Sequence, residues 1–211
     1  MDSLNMKPEE IETESFRIID AEAGDHGWHD AEWQIVRRAI HTSADFEYAR
    51  SMVFSDDAVE KAVTALKGGA GIVTDTNMAL SGISKPRLTP WGCSVSCHVA
   101  DPDVAEQAKA EGVTRSIAAM RKGVANPDNR IFVIGNAPTA LFELLRLVES
   151  GAADPALIIG LPVGFVGAEE SKNSLASGSH SIPFITNIGR KGGSNVAAAV
   201  VNALAILATQ R

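Results

Sequence analysis

The chain has 211 residues, enough for one α/β domain with a substantial core. Its residues are 45% hydrophobic, 21% charged and 5% aromatic, which fits a soluble globular protein, and its formal net charge of -7 argues against broad nucleic-acid binding. The same negative balance gives no long-range attraction for an anionic ligand, so any anion site has to be local.

Residues 1–8 read as a loose tail, and residues 9–211 as a single domain with no internal repeat or linker. From residue 8 to about 23, Ile11, Phe16, Ile18 and Ile19 sit among acids, the pattern of an amphipathic helix. The stretch 24–30 (GDHGWHD) breaks it. A second helix is expected from about 30 to 41, with Trp33, Ile35, Val36, Ala39 and Ile40 on its inner side. Ser55-Asp56-Asp57 is expected to cap a helix that runs to Lys67 and ends at Gly68-Gly69. Residues 70–74 (AGIVT) read as a strand with Asp75 directly at its end, and 92–99 as another strand. The region 103–123 is helical, with a break near Gly112.

From there the alternation is regular: strand 131–134, helix 138–150, strand 156–159, helix 168–176, strand 184–186 and an Ala-rich helix 194–209. Strands alternating with helices predict an α/β fold in three layers, a mostly parallel sheet with helices on both faces. In such folds the connections at the carboxyl ends of the strands carry the site.

Residues 1–15 are polar and acidic, without the basic start and apolar core of a signal peptide. The apolar windows 131–135, 156–166 and 196–208 are too short or too interrupted for the ~20 residues that span a bilayer. Cys93 and Cys97 form a C-x₃-C pair with no second cluster, so they make no zinc framework. They read as buried free thiols of a reducing cytosol, and the protein reads as cytoplasmic.

His41 is the leading candidate for chemistry. It ends the second predicted helix, and histidine is the side chain best suited to hold or release a proton near neutral pH. A helix C-terminus favours its protonated form, and Asp45, four residues on, would reinforce this. A plain helix-capping histidine is the alternative. His26 and His29 flank Gly27-Trp28 in a loop, with no partners for a metal site. His98 lies at a strand end and His180 in a Ser/Gly loop; both read as structural.

Asp75 and Thr76 follow a strand, where a polar residue is either a helix cap or a ligand contact. Asn136 and Thr139 occupy the same kind of junction, and Pro138 suits a first helical turn. No G-x-G-x-x-G or G-x-x-x-x-G-K-[ST] is present, so neither a dinucleotide fold nor a P-loop is supported. Gly189-Arg190-Lys191-Gly192-Gly193-Ser194 has the form of an anion-binding turn before a helix. Lys85, Arg87, Arg115, Lys172, Arg190 and Lys191 lie near these junctions, with Arg17 and Arg38 earlier. In an acidic protein, such a grouping suits a polyanionic ligand, since Arg grips a carboxylate in a bidentate fork.

Several strings, in order, resemble the precorrin-8X methylmutase family of cobalamin (vitamin B12) biosynthesis, including its cobalt-precorrin-8 branch. They are Ser15-Phe16, Ile40-His41 with Asp45, Thr74-Asp75 with Met78, and Thr114-Arg115-Ser116. The longer ones are Gly135-Asn136-Ala137-Pro138-Thr139-Ala140-Leu141 and Pro162-Val163-Gly164-Phe165-Val166-Gly167-Ala168-Glu169-Glu170-Ser171-Lys172, followed by Gly192-Gly193-Ser194. The resemblance implies an α/β isomerase that moves a methyl group from C-11 to C-12 of a corrin precursor in a 1,5-sigmatropic shift. It implies no external cofactor and no metal site. It implies that His41 protonates, or hydrogen-bonds, a ring nitrogen near the migrating methyl. Ser15, Asp75, Thr76, Arg115, Asn136, Thr139, Lys172 and Ser194 would line the substrate site.

The expected partners are the substrate (precorrin-8X or cobalt-precorrin-8), a second copy in a homodimer with substrate near the subunit interface, and neighbouring corrin-pathway enzymes. Nucleic acid and membranes are not expected. Residues 25–30 match no family feature, Lys191 stands where some relatives have an apolar residue, and His98 where a hydroxyl is more usual. Two other readings compete: a non-catalytic corrinoid carrier, and an unrelated α/β transferase gripping phosphate with the turn at 189–194.

Overall fold

The computed structural model describes residues 7–178 and 181–210. The expected tail therefore lies outside the described residues as far as residue 6, as does His180. Helix α1 (Pro8–Ala23) and helix α2 (Asp30–Ser43) follow the predicted pattern, with α2 running two residues past His41. A short helix α3 (Tyr48–Ser51) leads straight into strand β1 (Met52–Phe54), neither of them foreseen. Helix α4 (Ala58–Lys67) ends at Gly68 as expected. Its start differs: Asp57 adopts a left-handed conformation and caps nothing, while Ser55 Oγ accepts the Phe184 N–H at 2.9 Å.

Strand β2 (Gly71–Thr74) precedes two short helices, α5 (Asn77–Gly82) and α6 (Lys85–Leu88), and a 3₁₀ turn (Thr89–Trp91). The predicted strand at 92–99 shrinks to β3 (Val95–Ser96), an edge strand that pairs through only two residues with β2. Cys93 and Cys97 flank it as free thiols, half-buried rather than buried, with Cys93 Sγ donating to the Leu66 carbonyl at 3.1 Å. The helical stretch breaks at Gly112 into α7 (Pro102–Glu111) and α8 (Arg115–Val124). Then come β4 (Asn129–Ile134), α9 (Pro138–Glu149), β5 (Leu157–Gly160), α10 (Ala168–Ser177), β6 (Phe184–Asn187) and α11 (Ser194–Gln210).

The sheet order is β1-β6-β5-β4-β2-β3, with every pair parallel except β1 against β6. Side chains alternate across it, as a strand's period of two requires. Ile72, Ile131, Val133, Ile159 and Ile185 face a core shared with α2, α4 and α11. Val73, Phe132, Ile134, Ile158 and Phe184 face the opposite core, with α8, α9 and α10. Helices thus cover both faces. Helix α11 is buried nearly all round, which its Ala-rich sequence permits: small side chains allow close approach to the strands beneath and to α2 above.

Beyond β2 the chain crosses outward to β3; beyond β4 it crosses the other way, to β5 and β6. The neighbours β2 and β4 therefore form a topological switch point. The crevice beyond their carboxyl ends is where open α/β sheets hold ligands.

Candidate active site

Asp75, the first residue beyond β2, is 2% exposed and bridges that switch point. Its Oδ1 accepts the Gly135 N–H at 2.8 Å, and its Oδ2 accepts those of Asn136 at 2.9 Å and Ala137 at 2.7 Å. Burial pushes its carboxyl up from the ordinary value, and the three backbone N–H bonds pull the other way. Its oxygens shape the turn after β4. Asp75, expected to line the substrate site, turns its charge to the protein's own backbone. Gly135 is needed where it stands, because a Cβ there would lie 2.6 Å from Ser194 Cα.

The next residue, Thr76, caps α5 by accepting the Ala79 N–H at 3.1 Å, and its hydroxyl lies 2.8 Å from Ser194 Oγ. Ser194 opens α11. Its neighbour Asn195 donates through Nδ2 to the Thr42 carbonyl at 3.4 Å. Thr42 is next to His41 in the last turn of α2. The His41 ring is exposed and lies 5.2 Å from the Phe16 ring. Arg37 and Arg38 also stack on Phe16, at 4.4 and 5.1 Å, and form ion pairs with Asp20 and Glu12. Ser15, half-buried beside Phe16, donates its hydroxyl to the Ile11 carbonyl at 2.7 Å.

On the other side, Thr139 in the first turn of α9 lies 3.2 Å from Thr114 Oγ1. Thr114 caps α8, and Arg115 follows with an exposed side chain, as does Asn136. A few contacts, Phe16–His41, Asn195–Thr42, Ser194–Thr76, Asp75–Asn136 and Thr139–Thr114, thus tie together short chain segments that carry Ser15, His41, Ser194, Asp75, Asn136 and Arg115. The N-termini of α8, α9 and α11 lie on these segments. A helix N-terminus carries partial positive charge without any net positive charge on the chain, and at α9 the Asp75 carboxylate takes the Asn136 and Ala137 N–H groups.

Lys172, also expected to line the site, turns inward as well. It is 1% exposed, and its Nζ donates to the Lys191 carbonyl at 2.6 Å and to Asn187 Oδ1 at 3.3 Å. Burial pulls its ammonium down to about 8. Asn187 Nδ2 donates to the carbonyls of Ile188 and Lys191, so the pair organises the turn between β6 and α11 from beneath. Gly192 closes that turn against β5, where a Cβ would meet the Leu161 carbonyl oxygen at 2.3 Å.

The same turn does not have the form of a phosphate grip. Lys191 Nζ is held by Asp45 and Glu47, and Arg190 lies 4.0 Å from Glu169 and 5.7 Å over the Phe165 ring. Asp45 is therefore engaged by Lys191 and does not serve as the partner expected for His41. His26 stacks on Trp33 at 3.7 Å, and His98 Nδ1 lies 3.0 Å from Asp101. Among the described residues no three His, Cys, Asp or Glu side chains group to hold a metal ion. No helix among them is long and apolar enough to cross a membrane.

Sequence reasoning missed Thr42, Asn187 and Asn195, and placed Thr114 only in a family string. Asn187 carried a usable signal, a polar residue directly ending an apolar strand, the same pattern that singled out Asp75. It also missed an apolar rim at this edge: Phe165 is 84% exposed and Val166 89%, with Ile188 at 56%. The fold is of the doubly wound α/β class, and these hydroxyls, amides and the turns that carry them lie at the switch point where that class holds ligands, with exposed apolar side chains nearby.

The comparisons with known proteins agree. The precorrin-8X methylmutase family model matches residues 10–207. A cobalt-precorrin-8 methylmutase of Priestia megaterium is 49% identical over 205 residues, covering 97% of this chain and 90% of that protein. A precorrin-8X methylmutase of a Sinorhizobium species is 44% identical over 191 residues, covering 90% of each. The crystal structure of precorrin-8X methylmutase from Thermus thermophilus superposes with a TM-score of 0.86 at 40% identity, covering 95% of this chain and 98% of that one. The chain belongs to the precorrin-8X methylmutase family, a family of isomerases.

Proposed function

We propose that this enzyme, in the cytoplasm and without an external cofactor, moves a methyl group from C-11 to C-12 of precorrin-8X or of cobalt-precorrin-8, giving hydrogenobyrinate or cobyrinate. His41 is the proton donor. One observation carries the assignment: the set of contacts that joins the end of α2 through Thr42, Asn195 and Ser194 to the switch-point turns. It supports reading the exposed His41 imidazole as the group that reaches a ligand held at the switch point.

A methyl shift within one molecule needs no nucleophile or redox group. It needs the macrocycle held in one orientation and its π-system polarised. A proton, or a hydrogen bond, from His41 to a ring nitrogen draws electron density from the conjugated system and lowers the barrier, as general-acid catalysis does. The peripheral carboxylates of the substrate are met by Arg115 and by donors along the edge: Ser15, Thr76, Asn136, Thr139 and Ser194. Asp75 and Lys172 support these donors by fixing the turns that carry them.

The working unit is a homodimer. Phe165 and Val166, held out on a turn at the same edge, are the apolar surface that a second copy covers, with the substrate near the interface. The neighbouring enzymes of the corrin pathway would collect the product there. Phe165→Asp lowers the mass measured by light scattering from dimer to monomer; an unchanged mass removes this surface from the interface.

The deciding experiment is anaerobic incubation with metal-free precorrin-8X and, separately, with its cobalt form, following visible spectrum and product mass. A new spectrum at unchanged mass establishes the isomerisation and shows which substrate is turned over. His41→Ala should then lose the conversion while keeping a folded structure and pigment binding. Full activity of His41→Ala refutes the proton-donor role. A bound but unchanged pigment with both substrates points to the carrier.

A further inference from the structure

Lys191 lies in the turn between β6 and α11, and its side chain crosses to a different part of the molecule. Its Nζ touches Asp45 Oδ2 and lies 2.7 Å from Glu47 Oε2. Both carboxylates belong to the turn that follows the end of α2 at Ser43, one helical turn beyond His41. The turn's own backbone closes it at either end, the Ala44 N–H donating to the Ile40 carbonyl at 2.7 Å and the Ser51 N–H to the Glu47 carbonyl at 2.9 Å, and Lys191 ties it to the sheet edge. Ala44 takes a left-handed conformation there, with φ at 53°, which a residue bearing a Cβ adopts at a cost. The Asp45 carboxylate also accepts the Glu47 N–H at 2.9 Å, so the ammonium and the backbone of the turn share one anion. Tyr48 reaches the same region, its hydroxyl 3.5 Å from the Gly192 carbonyl.

The other end of Lys191 is fixed too. Its carbonyl accepts from the buried Lys172 at 2.6 Å and from Asn187 Nδ2 at 3.0 Å. We propose that Lys191 is a positioning residue: anchored through its carbonyl at the sheet edge, it clamps the turn after His41 through its ammonium and so sets the imidazole against the crevice. This rests on the proton-donor reading of His41. The charge pattern agrees. The Lys191 ammonium holds the Asp45 carboxyl below the usual carboxylate range, so the clamp is intact throughout the neutral range. Lys191 touches no substrate in this scheme and acts only through the turn.

The test compares Lys191→Leu, which keeps the apolar stem, with Lys191→Arg, which keeps the charge. Two readouts are needed: steady-state kinetics, and hydrogen exchange of the backbone amides at 44–48. A half-exposed ion pair shared by two carboxylates supports a loss of about threefold to tenfold in kcat for the Leu variant. KM should change little, because the interaction lost orients the acid and does not bind substrate. Exchange at 44–48 should quicken, Arg should restore both readouts, and added salt should slow the native enzyme toward the Leu variant.

Unchanged kcat in Lys191→Leu overturns the positioning role, whether or not exchange quickens. A rise in KM with kcat intact also overturns it, by making Lys191 a binding residue. The failure of the underlying reading looks different: His41→Ala would then be fully active, and exchange at 44–48 would still report whether Lys191 holds the turn.

Discussion

The Asp75 carboxylate is the most heavily committed polar group at the switch point, and replacing it by asparagine tests whether it builds the site. An asparagine can place its one oxygen where Oδ2 stands and keep the Asn136 and Ala137 N–H bonds. Each of these then falls from a charge-assisted bond to a neutral one, a loss of about 1 kcal/mol apiece. The amide NH₂ now faces the Gly135 N–H, and a buried donor left without an acceptor costs about 1–3 kcal/mol. Against this, asparagine carries no charge into a site that disfavours it, as the raised carboxyl shows. The balance is a destabilisation of about 3 kcal/mol for Asp75→Asn. In a protein of this size that lowers the melting temperature by roughly 10 °C. Asp75→Ala orphans all three donors and should fall further. Urea unfolding at one fixed protein concentration measures both. A midpoint for Asp75→Asn equal to that of the native protein would refute the reasoning. So would an Asn variant less stable than the Ala variant.

Three further outcomes follow from the geometry. Lys172 has its ammonium pulled from 10.5 down to about 8 by burial, so the unfolded chain binds more protons than the folded one between those values. Native stability should therefore rise as pH increases from 8 to 10.5, by roughly 3 kcal/mol relative to Lys172→Met; parallel stability curves for the two proteins would remove the effect. Glu143 is 6% exposed and held by Arg146 and Arg121, which keep its carboxyl below its ordinary 4.5. Its contribution is complete above that value and is lost as pH falls through the lowered one. Glu143→Gln should cost about 1–3 kcal/mol at pH 7, and the difference should vanish in strong acid. Gly135→Ala drives a Cβ to 2.6 Å from Ser194 Cα, backbone that cannot yield without moving α11. It should lower both melting temperature and turnover, with a stability cost of about 1–3 kcal/mol.

The parts of the fold visible in the sequence were those where local and tertiary signals coincide. Around β4, β5 and β6 an apolar run, a turn of small residues and a helix start follow one another, and each element lies within two residues of its expected bounds. Strand β1 was invisible because three residues, Met52, Val53 and Phe54, form a strand only by pairing antiparallel with β6, far along the chain. The stretch at 92–99 erred the other way: its residues suit a strand, but an edge position lets only Val95 and Ser96 pair.

The site divides similarly. Asp75 and Lys172 were detectable as charged residues at strand-to-helix junctions. Whether such a charge faces a ligand or the protein's own backbone depends on the partner loop, and here both turn inward. The Thr76–Ser194 contact joins residues 118 positions apart, which no local pattern records.

That inward turn has a consequence for how an acidic protein handles a polyanion. Backbone N–H groups attract carboxylates only while the turns that present them keep their shape, and exposed turns of Gly, Asn and Ser have little shape of their own. A buried anion at the switch point and a buried cation beneath the β6–α11 turn supply it, each satisfied by backbone groups and not by the other. Moving either charge would leave the backbone N–H or carbonyl groups it pairs with unsatisfied, so the turns are held in one arrangement before any substrate arrives. For a methyl shift inside a single molecule, such preorganisation is a large part of what a protein can contribute.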